Sequence, residues 1–192
     1  MRSESSTYTI LGMLSIQPMS GYDIRKEIAD SLAHFWHGGY GQIYPALKQL
    51  ASQGMIEEQA GAAGGRADRK VFSLTTRGRA KLRDWLTQPP QTQTPRNELL
   101  LKLFFGRLVP SEASERHVLQ FRQQQQQLNG ACRELETQLL ATQARHSDLA
   151  YWLMTISYGR HLSRALIAWS DETLQALRRE RKDQTTRKPR AR

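Results

Sequence analysis

Residues 40–56 read YGQIYPALKQLASQGMI, and this stretch decides how the rest of the chain is understood. Apolar Ile43, Leu47, Leu50 and Ala51 recur at the three- and four-residue offsets that put side chains on one face of a helix. That face is committed to a core. Gln42, Tyr44, Lys48, Gln49, Ser52 and Gln53 turn the other way and offer hydrogen bonds and a charge in place of a plain Glu/Lys solvation pattern. Pro45 lacks an N–H and suits a helix only where that N–H has no partner, so the helix begins within about one turn before it. Gln53-Gly54 ends it. Long polar side chains on a short helix bounded by glycines match what reading a DNA groove requires, although an ordinary amphipathic core helix has the same spacing.

The 192 residues suffice for one ordinary domain or two small ones, and a later linker favours two. With 39% hydrophobic and 24% charged residues and a formal net charge of +10, the composition is that of a globular protein attracted to polyanions. Much of the charge is local. Arg178 to Arg192 holds eight Lys/Arg against two Asp/Glu, a net of +6, which leaves the body only mildly basic. Cys132 is the single cysteine, which excludes an internal disulfide and fits a reducing compartment. Met1 to Ser6 has no apolar signal core and no run approaches the roughly 20 apolar residues of a membrane span, so the expected location is the cytoplasm.

Ahead of the central helix, Thr7 to Ile16 is apolar nearly all round and reads as a buried helix, with Ile10 and Leu14 available to a partner subunit as well as the core. Gln17-Pro18-Met19 breaks it. Ser20 followed three residues later by Asp23 forms a capping-box pattern with Asp in place of Glu, opening a second helix with Tyr22, Ile24, Ile28 and Leu32 on its core side. Beyond the central helix, Met55 to Gln59 and Lys70 to Leu74 read as strands around the loop GAAGGRADR. Arg66 and Arg69 project from that loop, with Lys70 at its base. Thr75 or Thr76 caps the next helix, with Leu82, Trp85 and Leu86 inward and Arg77, Arg79, Lys81 and Arg83 outward. QPPQTQTP, residues 88–95, is a linker separating a domain of residues 1–87 from one of residues 96–182.

In the second domain Glu98 to Leu108 is a dense apolar helix closed by Val109-Pro110, and Ser111 opens a much longer one. Val118, Phe121, Gln125, Leu128, Cys132, Leu135 and Leu139 fall at alternating three- and four-residue intervals, a heptad seam with one polar break. Spacing alone leaves open whether this seam meets the same chain or a second subunit. Ser147-Asp148 caps a last helix presenting Leu149, Trp152, Leu153, Ile156, Leu162, Leu166, Trp169 and Leu177. Residues 183–192, DQTTRKPRAR, are expected to be disordered.

Helix, capped helix, outward-facing helix, strand, Gly/Arg loop, strand and helix is the order of a winged helix-turn-helix. PMSGYDIRKEI, GQIYPALKQLASQGMIE, GGRADRKVFSLTTRGRAKLRDWL and ELLLKLFFGRL resemble the PadR transcriptional regulators, in the branch with an α-helical C-terminal domain that includes virulence-gene activators. The resemblance implies a mainly α protein: a winged helix-turn-helix N-terminal domain plus a helical C-terminal dimerisation domain. It further implies that the helix from Gln42 to Gln53 enters the major groove of double-stranded DNA and that the hairpin from Glu57 to Leu74 reaches the backbone or the minor groove. Tyr44 and Lys48 would then contact phosphates and bases, Gln42 base edges, and Arg66 and Arg69 the wing site, with Tyr22 and Lys70 counted beside them. The homodimer interface is expected at Ile10, Leu14, Val118, Phe121, Leu128, Leu135, Leu139, Trp152 and Ile156. Two residues depart from the family pattern. Gly39 stands where a Ser or Thr cap is usual, and Phe72 where Tyr is common.

No phosphate loop, nucleophile elbow or pair of catalytic carboxylates is present, so the chain does not read as an enzyme and implies no cofactor. His34 and His37 lie one helical turn apart without a Cys, Asp or Glu to complete a metal site. Aromatic residues exceed what a small helical core needs. Core packing is the favoured account of them, with Trp36, Phe104, Phe105, Tyr151 and Trp152 as a candidate ligand pocket beside it, and the resemblance implies that its ligand would be a small aromatic effector. The expected regulation is repression by a homodimer occupying a pseudo-palindromic promoter site, with activation through a further protein contact as the alternative. A winged-helix protein-interaction module fits less well because the wing is basic, and an RNA-binding module lacks an aromatic stacking platform. Deleting residues 183–192 removes four Lys/Arg and one Asp. It should flatten the salt dependence of DNA binding by up to about three counterions without altering site preference, and an unchanged slope in salt titrations would make the tail a bystander.

Overall fold

The computed structural model describes residues 2–32, 34–36, 40–59, 70–91 and 96–187. The chain forms two compact units, Met1–Thr92 and Gln93–Arg192, dividing within the proline-bearing stretch of residues 88–95. In the first unit α1 (Arg2–Ile16) begins five residues before the expected Thr7. It is followed by β1 (Met19–Ser20), α2 (Gly21–Glu27) continuing as a π-turn over Ile28–Leu32, and a 3-10 turn (Tyr40–Gln42) leading into α3 (Ile43–Ser52). Then come β2 (Ile56–Gln59), β3 (Val71–Leu74) and α4 (Thr76–Leu86). The strands form one antiparallel sheet in the order β1-β3-β2, with Met19 opposite Phe72, and Ile56 to Gln59 opposite Leu74 to Val71. β1 was invisible in the sequence because two residues carry no periodicity.

The core of this unit gathers Ile10, Leu11, Met13 and Leu14 from α1, Met19, Ile24 and Ile28, then Ile43, Ala46, Leu47 and Leu50 from α3, with Ile56 and Leu82. Several expectations change here. Ile10 and Leu14 are consumed by this core, so they leave nothing for a partner subunit to cover. Ala46, one turn from both Ile43 and Leu50, takes the inward place expected of Ala51, which is exposed. Tyr22 is exposed although the helical period put it beside Ile24 and Ile28, because it lies on the first turn of α2, past the edge of the core. On α4, Leu82 is buried, Trp85 stacks on Tyr8 with ring centroids 4.5 Å apart, and Leu86 is exposed on the last turn.

One joint fixes the sheet against the helices. Gly54 ends α3 with φ 66°, the left-handed conformation that costs a side-chain-bearing residue about 1 kcal/mol or more. The chain returns at Thr75, whose N–H donates to the Met55 carbonyl at 3.2 Å and whose hydroxyl lies 2.8 and 2.9 Å from the carbonyl oxygens of Gly54 and Met55. The same hydroxyl caps α4 by accepting the Gly78 N–H at 3.1 Å. A Cβ on Gly78 would sit 2.1 Å from the Met55 carbonyl oxygen, so only glycine lets the two backbones meet.

The second unit contains α5 (Glu98–Phe104), a 3-10 turn (Gly106–Leu108), α6 (Ser111–Thr142) and α7 (Leu149–Arg187). Pro110, rather than Ser111, occupies the N-cap of α6, without a side-chain cap. α6 and α7 form an antiparallel pair, and the heptad seam of α6 is packed on α7 of the same chain. Val118 and Ile156 are wholly buried there, which removes them from the expected subunit interface, and Phe121 packs edge-on to Trp169 with centroids 5.9 Å apart. Ser163 and Ser170, buried on α7, return their hydroxyls to the carbonyls of Arg160 and Leu166, so small polar residues enter the seam with their hydrogen bonds satisfied. Leu162, expected in this face, is exposed, while Leu174 is buried. Arg122–Asp171, Arg160–Glu136 and Arg181–Glu115 ion pairs flank the helices. Cys132 is buried in the seam, and burial pushes its thiol up from the ordinary value. α7 runs to Arg187, five residues into the stretch expected to be disordered.

Gly78→Ala should destabilise the first unit by about 2 kcal/mol or more, because the new methyl meets backbone and not a movable side chain. Urea unfolding followed by tryptophan fluorescence, with Trp85 on α4 as a local reporter, checks this. A loss below about 0.5 kcal/mol would show that the joint yields.

Candidate nucleic-acid interface

The site is built outward from the start of α2. Ser20 accepts the Asp23 N–H at 3.2 Å, while the Asp23 carboxylate accepts the Ser20 N–H at 3.3 Å and its hydroxyl at 2.6 Å, so the capping box read from the sequence is present with Asp as its acid. Gly21 follows, and a Cβ there would lie 2.8 Å from the Tyr44 ring and 3.0 Å from Leu47. The missing side chain thus lets the first turn of α2 rest directly on α3. Leu47 is buried beneath this crossing while Tyr22 and Tyr44 emerge from it, 57% and 60% exposed. Lys48 stands one turn beyond Tyr44 on the same outward face. Gln42 is exposed at the N-cap position of α3 and makes no side-chain cap bond, which leaves its amide directed to solvent.

The sheet supplies the opposite wall. Ile56 is buried, and by strand alternation Glu58 points to the same side, opposite Phe72, with Lys70 two residues before Phe72 on that side as well. The Lys70 ammonium lies 2.9 Å from the Glu58 carboxylate. Glu57 faces the other way, 3.4 Å from the Ser73 hydroxyl, which donates to it. Between the two walls runs an open groove of about 630 Å³ lined by Tyr22, Tyr44, Lys48, Glu58, Lys70 and Phe72. Four of the seven residues expected to contact DNA, namely Tyr22, Tyr44, Lys48 and Lys70, therefore converge on one feature. Gln42 lies off its lining, and Arg66 and Arg69 fall outside the described residues, as does Gly39. Glu58 was missed as a site residue, although its offset of two from Ile56 placed it on the helix-facing side of the strand.

The residues of the expected effector pocket are distributed over both units. Trp36 is half-buried in the first, and in the second Phe104, Phe105 and Tyr151 are exposed while Trp152 lies tilted against His146 with centroids 4.4 Å apart. None of them lines the groove. His34 is buried and His37 lies outside the described residues. Among the described residues no group of three or more His, Cys, Asp or Glu is placed to hold a metal, and no helix is long and apolar enough to cross a membrane.

Residues 10–84 match the transcriptional regulator PadR-like family, and residues 95–178 match the virulence activator alpha C-term family. The chain belongs to the PadR-like transcriptional regulators. This PadR-like regulator is 36% identical over 124 residues to the negative transcriptional regulator PadR of Bacillus subtilis, a match covering 64% of this chain and 68% of that one. Its fold is similar to that of Bacillus subtilis PadR solved with operator DNA, at a TM-score of 0.76 and 24% identity, covering 89% of this chain and 98% of the other. The Bacillus protein has also been solved with p-coumaric acid, and that structure gives a TM-score of 0.70. The virulence activator AphA of Vibrio cholerae is similar at a TM-score of 0.72 and 26% identity, covering 91% of this chain and 99% of that one.

Proposed function

We propose that this regulator is a cytoplasmic, sequence-specific DNA-binding protein that acts as a homodimeric repressor, working by occupancy and not by catalysis. The observation that carries the reading is the convergence of Tyr22, Tyr44, Lys48 and Lys70 on one groove beside the exposed face of α3. Ammonium groups and phenolic hydroxyls suit phosphate oxygens, while Gln42 and Gln49 on the outward side of α3 suit base edges, with Gln able to pair bidentately with adenine. Arg66 and Arg69, which lie outside the described residues, are proposed as further phosphate contacts from the Gly/Arg loop. The negative regulator of Bacillus subtilis, solved with operator DNA, supports duplex as the ligand and repression as the outcome.

A second copy has an apolar surface to cover. Tyr151, Met154, Tyr158 and Leu162 fall at intervals of three, four and four along α7 and are exposed in the single chain, so with half-buried Trp152 they form the proposed dimer contact in place of Phe121, Leu128, Leu135 and Leu139, which belong to the seam packed on α7 of the same chain. Two-fold symmetry then calls for a pseudo-palindromic site with half-sites about one helical turn apart or a multiple of it. Activation is the second reading, and the match of residues 95–178 to the virulence-activator family favours it.

Fluorescence anisotropy on duplex from upstream of the protein's own gene, against scrambled duplex, tests the main reading. Wild type should prefer the native fragment by roughly a hundredfold, and Tyr44→Ala and Lys48→Ala should each weaken binding by about 1–3 kcal/mol. Equal, weak binding to both fragments that neither substitution alters would remove α3 as the reading element. A small aromatic acid is the proposed effector, by analogy with the p-coumaric acid held by the Bacillus relative. Phenolic acids should quench tryptophan fluorescence and release DNA, and titrations with neither heat nor a fluorescence change would dismiss the aromatic effector.

A further inference from the structure

The groove is lined by rings, hydroxyls and amines with one acidic exception. Glu58 reaches it because it shares the helix-facing side of β2 with buried Ile56, and it meets the Lys70 ammonium at 2.9 Å. The pair is open to water, the carboxylate side chain 47% and the lysine 68% exposed, and exposed pairs of this kind add little to stability. A charge set where the opposite charge is wanted, without a structural return, calls for another explanation. Lys70 lines the same groove as Tyr44 and Lys48, so a phosphate entering there meets Glu58 as a rival for the same ammonium.

We propose that Glu58 is an intramolecular counter-ion that occupies Lys70 in the free protein and competes with a DNA phosphate for it, lowering the sequence-independent part of DNA affinity. The inference rests on the DNA-binding reading given above. A lysine–phosphate contact tightens binding to every duplex alike and adds about one released counterion to the salt dependence. A carboxylate fixed beside that lysine cancels the contribution and shortens residence on DNA that lacks the operator. Glu57 is the internal control. It carries the same charge on the same strand but faces away from the groove, beside Ser73.

The test is anisotropy over a range of salt on operator-containing duplex, scrambled duplex and single strands, with circular dichroism melts to match the folding of each variant. Glu58→Gln should tighten both duplexes severalfold near 0.1 M salt and steepen the log–log salt slope by about 0.9. Lys70→Gln should weaken binding and flatten the slope by a similar amount, and the double variant should return close to wild type. Glu57→Gln should move the slope less than Glu58→Gln does. Wild type that binds duplex while Glu58→Gln binds it equally or more weakly overturns the proposal alone, and so does Glu57→Gln matching Glu58→Gln. Wild type that shows no preference for duplex over single strands overturns the DNA reading itself, a result visible before any variant is measured.

Discussion

The architecture of the first unit depends on a backbone-to-backbone contact at Gly78. Met55 follows the left-handed turn at Gly54 and leads into β2, and its carbonyl receives the Thr75 N–H where β3 gives way to α4. Because Gly78 has no Cβ, α4 can begin against that carbonyl, and Thr75 uses one hydroxyl to cap α4 and to reach the end of α3. The hairpin is thereby tied at its base to the helix that presents Tyr44 and Lys48. Everything proposed for the groove assumes that its two walls keep this relation. A displaced strand pair would carry Glu58 and Lys70 away from α3.

Much of this arrangement was legible in the sequence where a local rule applied. The capping box at Ser20 and Asp23 needs only two residues at the right offset, and the structure contains both of its bonds. Helix α3 was identified from its apolar period and its flanking glycines, with Tyr44 and Lys48 outward. Failures fell where position along an element mattered more than period. Tyr22 and Leu86 obey the helical spacing of their neighbours, yet each lies on a terminal turn beyond the edge of the core and is exposed. Ala51 lost its inward place to Ala46, since each lies one turn from an apolar residue, Ala51 from Leu47 and Ala46 from Ile43 and Leu50, and spacing alone did not decide between them. β1 consists of two residues, and its pairing with β3 is a tertiary event.

The second unit shows how a sound pattern can leave its partner undetermined. A heptad seam on α6 demanded a facing helix, and α7 of the same chain supplies it. Val118 and Ile156 are spent on that pairing, and the ion pairs beside them, Arg122 with Asp171 and Glu136 with Arg160, join the two helices of one chain. Tyr151, Met154, Tyr158 and Leu162 remain outside that pairing, and of these only Leu162 had been expected in the wide apolar face of α7. Pairing within the chain comes first, and the residues it leaves over define what a second subunit can meet.

Gly21 has a consequence for how recognition can change. The Tyr44 ring rests against a position where any side chain would intrude, so the tilt of this tyrosine is governed from α2 and not only by its own helix. The proposed DNA contact can therefore be altered without rewriting α3. One added methyl at the start of the helix behind it would lie 2.8 Å from the Tyr44 ring and displace it, leaving every outward residue of α3 unchanged in identity.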